Sequence, residues 1–513
     1  MKLNYKKIAI CGVTGLLTAS AFPKLNLFFF AWVAFIPMIF VITKTGLKAS
    51  FFYGFISGFV FNIFGLYWLV SMLQFNIGSY AQSIVASCAL WTYLALYWGI
   101  WSLWLNLLIS KNILKNAFYS NILLAFFASC MWILLEYLRT YLLTGFPWML
   151  IGYSQFKFTE IIQIAEFTGV YGVSFLIVFC NLCLYFWLSK KKENLRYTNS
   201  YLFTVLLLIV GFSIFGLIRA SKFRSLGDRE FIVAVVQPNI DQYRKWNSDY
   251  ISSVLSDLKK YAFEISKIRA DLVVWPETVF AGFINRDKYL YNSAKQITSI
   301  AGGLNIVGSF YNDEKNRHFN VVLAFENGNC KGMHKKNHLV VFGEFIPFKT
   351  FFSKFFGVLS QMNDLMKGED NEVFSNGKMS VGSIICSENF FSNISRKFAL
   401  SGAKVFTNHT NDAWFFDTAA PYQHFMMNVF RAIENRKSVM VSANSGISGI
   451  IESSGIIIEK TSSLKKGLLI GKFFQNNFKT FYTKYGDLFV GLCVVLLLGL
   501  VFLRLSLVIR SKI

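Results

Sequence analysis

Runs of apolar residues, each near the ~20 that a bilayer-crossing helix needs, fall at 8–22, 27–43, 51–73, 83–109, 117–138, 162–188, 201–218 and 487–509. Nothing else in the chain limits its fold so strongly. Eight such runs around one polar stretch predict a multi-span α-helical membrane domain carrying one extramembrane domain. Transmembrane helices 1–7 then occupy residues 1–218, the extramembrane domain 219–485, and transmembrane helix 8 with a short tail 486–513. A hydrophobic fraction of 54% and a mean hydropathy of +0.45 exclude a soluble chain. The first run follows a basic start and ends in Ala19-Ser20-Ala21, which also fits a signal-peptide cleavage pattern. With further spans behind it, a retained first span is expected.

Loop charge orients the spans. Lysines cluster at Lys2, Lys6 and Lys7, at Lys44 and Lys48, at Lys111 and Lys115, and at Lys190, Lys191 and Lys192 with Arg196, on alternate loops. The loop 74–82 carries no charge. A cytoplasmic N-terminus therefore puts 219–485 outside and returns Arg510 and Lys512 to the inside. The net charge of +23 is spread over the middle region and short loops without a basic stripe, so anionic lipid is the expected partner and nucleic acid is not. In the long outer loop 139–160, Trp148 reads as a headgroup-level anchor, and Arg139 either faces a lipid phosphate or snorkels. Glu166, just inside the next span, is a polar residue at a membrane edge.

The polar middle changes period. Strands read at 231–237, 271–274, 304–310, 319–325, 380–385, 403–408, 439–443 and 449–452, with helices near 251–268, 287–301 and 421–437. That succession predicts an α/β domain. Of eight cysteines, only Cys330 and Cys386 lie in this region, and a disulfide between them would silence any chemistry at Cys386.

Cys386 ends the apolar run Val381-Gly382-Ser383-Ile384-Ile385. A sulfur at the end of a buried strand can meet a substrate while the strand holds it still; the competing reading is a packed free cysteine. Two further strand ends carry reactive groups, Glu277 after 271–275 and Lys336 in His334-Lys335-Lys336-Asn337-His338. A carboxylate can take a thiol proton, and a lysine can lower the thiol pKa and face the oxyanion of a tetrahedral intermediate. Carboxylate, ammonium and thiol would together perform acyl transfer. Taken singly, Glu277 is equally a turn carboxylate and Lys336 a solvated cation.

Trp275-Pro276-Glu277, then Lys336-Asn337-His338-Leu339 with Phe342-Gly343-Glu344-Phe345, then Ile385-Cys386-Ser387-Glu388 resemble the three signatures of the nitrilase superfamily. Together with the flanking spans and Gly145-Phe146-Pro147-Trp148, the whole chain resembles the apolipoprotein N-acyltransferase family of bacterial inner membranes. The resemblance implies an αββα sandwich for the middle domain, with Glu277 as general base, Lys336 stabilising the intermediate and Cys386 as the acylated nucleophile. It places Arg139, Trp148, Glu344, Ser387, Glu388 and Trp414 as substrate-binding or supporting residues. It implies no cofactor and no metal. It also implies a phospholipid acyl donor, a diacylglyceryl-modified apolipoprotein acceptor and a catalytic domain on the periplasmic side. Two positions depart from the family pattern: Val341 stands where proline is usual, and Ser387 where an aromatic residue is common.

Further residues bear on these expectations. Phe351, Phe352, Phe355, Phe356, Leu359 and Met362 give 342–366 an apolar face that suits either a lid dipping into lipid or a buried helix. His334 and His338 have helical i,i+4 spacing, but Lys335 and Lys336 between them oppose a metal. Two other functions are compatible with the layout. A membrane-tethered amidase would let water attack the thioester, and a transporter or receptor would only bind ligand in its outer domain.

Overall fold

A computed structural model describes residues 4–110, 118–190, 195–224, 227, 229–347, 349 and 364–510. The chain divides into two compact units, one comprising Met1–Gln74, Ser79–Ile218 and Tyr485–Ile513, the other Phe75–Gly78 and Arg219–Lys484.

The first unit is helical. Among the described residues, Leu47–Gly65, Tyr80–Ile109, Phe118–Thr144, Val170–Ser189 and Thr198–Phe223 are long and apolar enough to cross a membrane. The run at 8–22 forms the shorter helix Tyr5–Ser20, and the closing run forms Leu488–Arg510. Three runs expected as single spans are interrupted. The run at 27–43 is a 3-10 turn, Phe28–Trp32, and a seven-residue helix, Ile36–Ile42, in whose first turn Pro37 sits; proline lacks an N–H and fits a helix start. The run at 51–73 is divided between helices Leu47–Gly65 and Trp68–Ile77. The run at 162–188 breaks at Gly169, whose φ of 63° suits a residue without Cβ. Packing is dense and aromatic: the Phe35 ring stacks on Trp98 at 4.9 Å and meets Trp132 edge-on at 5.0 Å.

Among the described residues, the second unit holds thirteen strands in two sheets. The strands are β1 Glu230–Gln237, β2 Leu272–Val274, β3 Phe280–Phe283, β4 Leu304–Asn312, β5 His318–Glu326, β6 Asn329–Lys335, β7 Val373–Ser375, β8 Ser380–Ile385, β9 Val405–Thr410, β10 Val439–Ala443, β11 Gly449–Ile451, β12 Ile457–Lys460 and β13 Gly467–Phe474. One sheet runs β13-β1-β2-β4-β5-β6, with β3 also paired to β4; the other runs β12-β11-β10-β9-β8-β7. The neighbours β1, β2 and β4 are parallel, as are β8, β9 and β10, and antiparallel strands flank both groups.

Strand alternation explains the layering. Ala234, Val236, Val273 and Val307 face the helices Ile251–Ser266 and Lys288–Ala301 through Leu258, Ala262, Ala294 and Ile297. Their neighbours Val233, Val235, Leu272, Val274 and Ile306 face the other sheet, against Val381, Ile385, Val405 and Met440. Each such fully buried Val, Leu, Ile or Met side chain contributes about 1.5–3 kcal/mol. Helices Ser392–Leu400 and Ala420–Asn435 pack on the second sheet, against β8 and β10, which completes the αββα order. Cys386 lies at the edge of the core between the sheets. The apolar face expected at 342–366 falls mostly on 350–363, outside the described residues.

Candidate active site

Three strand ends converge in the second unit. Past β2 the chain turns through Pro276 and Glu277, with Thr278 at a left-handed φ of 46°. Gly308 of β4 lies under this turn, and a Cβ there would stand 2.5 Å from Thr278 N and 2.6 Å from Pro276 O. Lys245, buried, donates its Nζ to the Glu277 carbonyl at 3.1 Å and to Thr278 Oγ1 at 2.7 Å. The turn is thereby fixed from both sides, and the Glu277 carboxylate is aimed inward.

Lys336 follows β6 directly and is 1% exposed. Its Nζ lies 2.9 Å from Glu344 Oε1 and 3.6 Å from Glu277 Oε1. Asn320 of β5 donates its side-chain amide to both carboxylates, at 2.7 Å to Glu277 and 2.9 Å to Glu344. Glu344 also accepts the Val340 N–H at 2.8 Å, which closes its own loop. Burial pulls the Lys336 ammonium down, but Glu344 and Glu277 outweigh it and hold the group above its ordinary value. Lys336 is thus a fixed cation and not a base.

Cys386 follows β8 directly, with φ at 52°, in the left-handed region that favours glycine, and is partly exposed. Burial pushes its thiol well above the usual range, Glu277 adds to that push, and Lys336 opposes it. The resting sulfur therefore carries its proton, and the Glu277 carboxylate stands in the same site. Neither Cys386 nor Cys330 is in a disulfide.

Glu388, two residues on, ties the strand ends together. Its carboxylate accepts the Ile385 N–H at 2.8 Å, the Asn337 N–H at 2.6 Å and the His338 N–H at 3.2 Å. Burial moves it up to about 7 despite those donors. Ser387 is buried in the same 3-10 turn, Cys386–Phe390. Trp414 lies in the turn Asp412–Phe415, with its ring 5.7 Å from that of Phe75.

Glu277, Lys336, Cys386, Glu344, Ser387 and Glu388 thus share one site. Arg139 and Trp148 belong to the other unit. There Trp148 is 4% exposed and packed on Trp68 at 4.7 Å, a core residue and not an exposed anchor. Arg139 is 5% exposed and donates to the Trp148 carbonyl at 3.2 Å, so it neither snorkels nor faces outward. Glu166 is buried as well. His334 lies on β6, so the helical spacing assumed for His334 and His338 does not exist.

Asn320, Lys245, Thr410, Asp412 and His424 were not legible as site residues. His424 Nδ1 lies 2.8 Å from Asp412 Oδ1, and its Nε2 lies 3.2 Å from the Cys386 carbonyl oxygen. The signal for these two was a carboxylate two residues before the aromatic pair Trp414-Phe415 and a histidine in the first turns of the helix Ala420–Asn435.

Residues 14–183 match the model of the apolipoprotein N-acyltransferase N-terminal domain, and residues 232–477 match that of the carbon-nitrogen hydrolases. An apolipoprotein N-acyltransferase of Geobacter metallireducens is 31% identical, over 94% of this chain and 92% of that protein. Relatives of the same name from Treponema denticola and Pasteurella multocida are 29% and 28% identical, over 93% and 94% of this chain and 92% and 93% of their own lengths. A helical membrane unit, an αββα unit with carboxylate, ammonium and thiol at its strand ends, and near full-length likeness to such relatives agree: the chain belongs to the apolipoprotein N-acyltransferase family, membrane enzymes with a nitrilase-type domain.

Proposed function

We propose that the protein moves a fatty acyl chain from a phospholipid to the N-terminal amine of a diacylglyceryl-cysteine on apolipoproteins, through a thioester on Cys386. The observation that carries this reading is the Lys336 ammonium held between Glu344 and Glu277, 2.9 and 3.6 Å away, at a site shared with Cys386.

Glu277 takes the thiol proton, and the thiolate attacks the ester carbonyl of the phospholipid. The oxyanion that forms faces Lys336 and the Ser387 backbone N–H. Collapse breaks the ester C–O bond, and the lysophospholipid oxygen leaves with the proton from Glu277. In the second half, the lipoprotein amine attacks the thioester carbonyl and loses its proton to Glu277. The C–S bond breaks, the amide forms, and the sulfur regains the proton. A thioester suits this order because it keeps the acyl group activated until an amine arrives.

Both substrates are membrane-bound, which accounts for a catalytic unit on the same chain as a membrane unit. The alternating lysine-rich loops support a bacterial inner-membrane location with residues 219–485 on the periplasmic side. The test uses vesicles with labelled phospholipid acyl chains and a diacylglyceryl lipopeptide. Wild type should produce N-acylated lipopeptide and Cys386→Ala none. Labelled free fatty acid without N-acylated product would select the amidase reading instead.

A further inference from the structure

We propose that Thr410, Asp412 and His424 form a second hydrogen-bonded arm on Cys386, positioning residues that hold its left-handed backbone and present a hydroxyl donor to its sulfur once the proton has left. The inference rests on the reading of Cys386 as the nucleophile, and adds residues to its machinery.

Three elements build the arm: Thr410 ends β9, Asp412 opens the turn Asp412–Phe415, and His424 lies on the helix Ala420–Asn435. All three are buried. His424 Nε2 reaches the Cys386 carbonyl at 3.2 Å while Nδ1 reaches Asp412 Oδ1 at 2.8 Å. The Cys386 carbonyl can only accept, so Nε2 donates to it, and the Asp412 contact at Nδ1 favours the doubly protonated ring. Burial alone would pull His424 down, but Asp412 and the Cys386 carbonyl raise it above its ordinary value. The carbonyl of a residue at φ 52° is thus held by a buried ring N–H, which keeps a strained backbone in place.

Thr410 Oγ1 lies 2.8 Å from Asp412 Oδ1 and 3.6 Å from Cys386 Sγ. Its single proton serves one of them at a time. While the sulfur is protonated, the hydroxyl donates to the carboxylate. When Glu277 has taken the thiol proton, the hydroxyl turns to the thiolate, and Asp412 keeps its bond from His424. The need for such a donor is electrostatic: Glu277, Asp412 and Glu344 all oppose a negative sulfur, and Lys336 favours one. Lys245 faces the same site as a weaker cation, pulled down to about 7 by burial.

The test compares Thr410→Val, which keeps the shape and removes the hydroxyl, with Thr410→Ser, which keeps the hydroxyl. Full-length protein in detergent is alkylated at Cys386 by iodoacetamide across pH, and acyl-adduct formation from phospholipid is timed by mass. Thr410→Val should move the alkylation profile to higher pH and slow adduct formation about tenfold to hundredfold, the worth of a hydrogen bond to a charged group. Thr410→Ser should recover most of both, which a packing role alone would not produce. His424→Gln, with an amide N–H for the Cys386 carbonyl, should retain more adduct formation than His424→Ala. A Thr410→Val profile that superimposes on wild type, or a Thr410→Ser as impaired as Thr410→Val, overturns the arm. Absence of any acyl adduct in wild type sinks the thioester reading itself, a separate failure.

Discussion

Replacing Lys336 by methionine removes a cation and leaves two carboxylates buried around an apolar side chain. Nζ is 2.9 Å from Glu344 and 3.6 Å from Glu277, in a residue 1% exposed. At an effective dielectric of about 20, each contact amounts to about 4–6 kcal/mol of gross attraction, much of it cancelled by desolvation. Breaking a buried pair by deleting one partner costs about 3–5 kcal/mol, because the orphaned charge remains. Here the orphans are two anions that accept from one amide, that of Asn320. They relieve the repulsion by sharing a proton. A carboxyl whose folded pKa rises loses stability as pH rises, so the deficit is largest near pH 8 and shrinks towards pH 5. For a domain of this size, about 2–4 °C per kcal/mol makes the fall in unfolding temperature about 10 °C at pH 8, read by thermal unfolding in detergent. Adding Glu344→Gln to Lys336→Met removes one orphan and should return at least half of that loss. Lys336→Met unfolding with wild type at pH 8, or with an equal deficit at pH 5 and pH 8, would refute the reasoning.

Two other perturbations follow from the same geometry. Glu388, carried from an ordinary 4.5 to about 7 by burial, costs stability on ionising, about 3 kcal/mol at about 1.4 kcal/mol per pH unit. Glu388→Gln cannot ionise, so its unfolding curve should gain on wild type by that amount between pH 4.5 and pH 8, and parallel curves would contradict this. Gly308→Ala drives a methyl against the backbone of the Glu277 turn; with misplacement near 1 Å costing up to about a hundredfold, turnover should fall at least tenfold. Unchanged turnover in that variant would show that the turn is not fixed from β4.

Most of the αββα core was legible because its strands are apolar runs with β-branched residues, as in Ile232-Val233-Ala234-Val235-Val236 and Val439-Met440-Val441. β13, Gly467-Leu468-Leu469-Ile470-Gly471-Lys472-Phe473-Phe474, escaped although it is eight residues long and largely apolar; the other strands that escaped are those the pattern does not mark. β6, Asn-Cys-Lys-Gly-Met-His-Lys, is a largely exposed edge strand with no apolar alternation, and β3, β7 and β12 are three or four residues long. The helix Ser392–Leu400 is short and polar on its outer side. Glu277 and Cys386 were legible because each closes an apolar run inside a distinctive motif, and Lys336 through its motif alone, since the strand before it was not marked. Asn320 and Lys245 were not, since an asparagine inside a strand and a lysine in a five-residue helix acquire meaning only from what the fold brings beside them. Trp148 and Arg139 were misplaced for a related reason: composition puts aromatic and basic residues at a membrane surface, whereas the loop after Tyr141 folds back and buries both.

Intact-mass analysis tests the central claim most directly. Purified protein incubated with phospholipid should gain the mass of one acyl chain, mapped to Cys386, and lose it when a diacylglyceryl lipopeptide with a free amine is added, as the N-acylated peptide appears. An acyl group found on another residue, persisting in Cys386→Ala, or never formed would contradict the account.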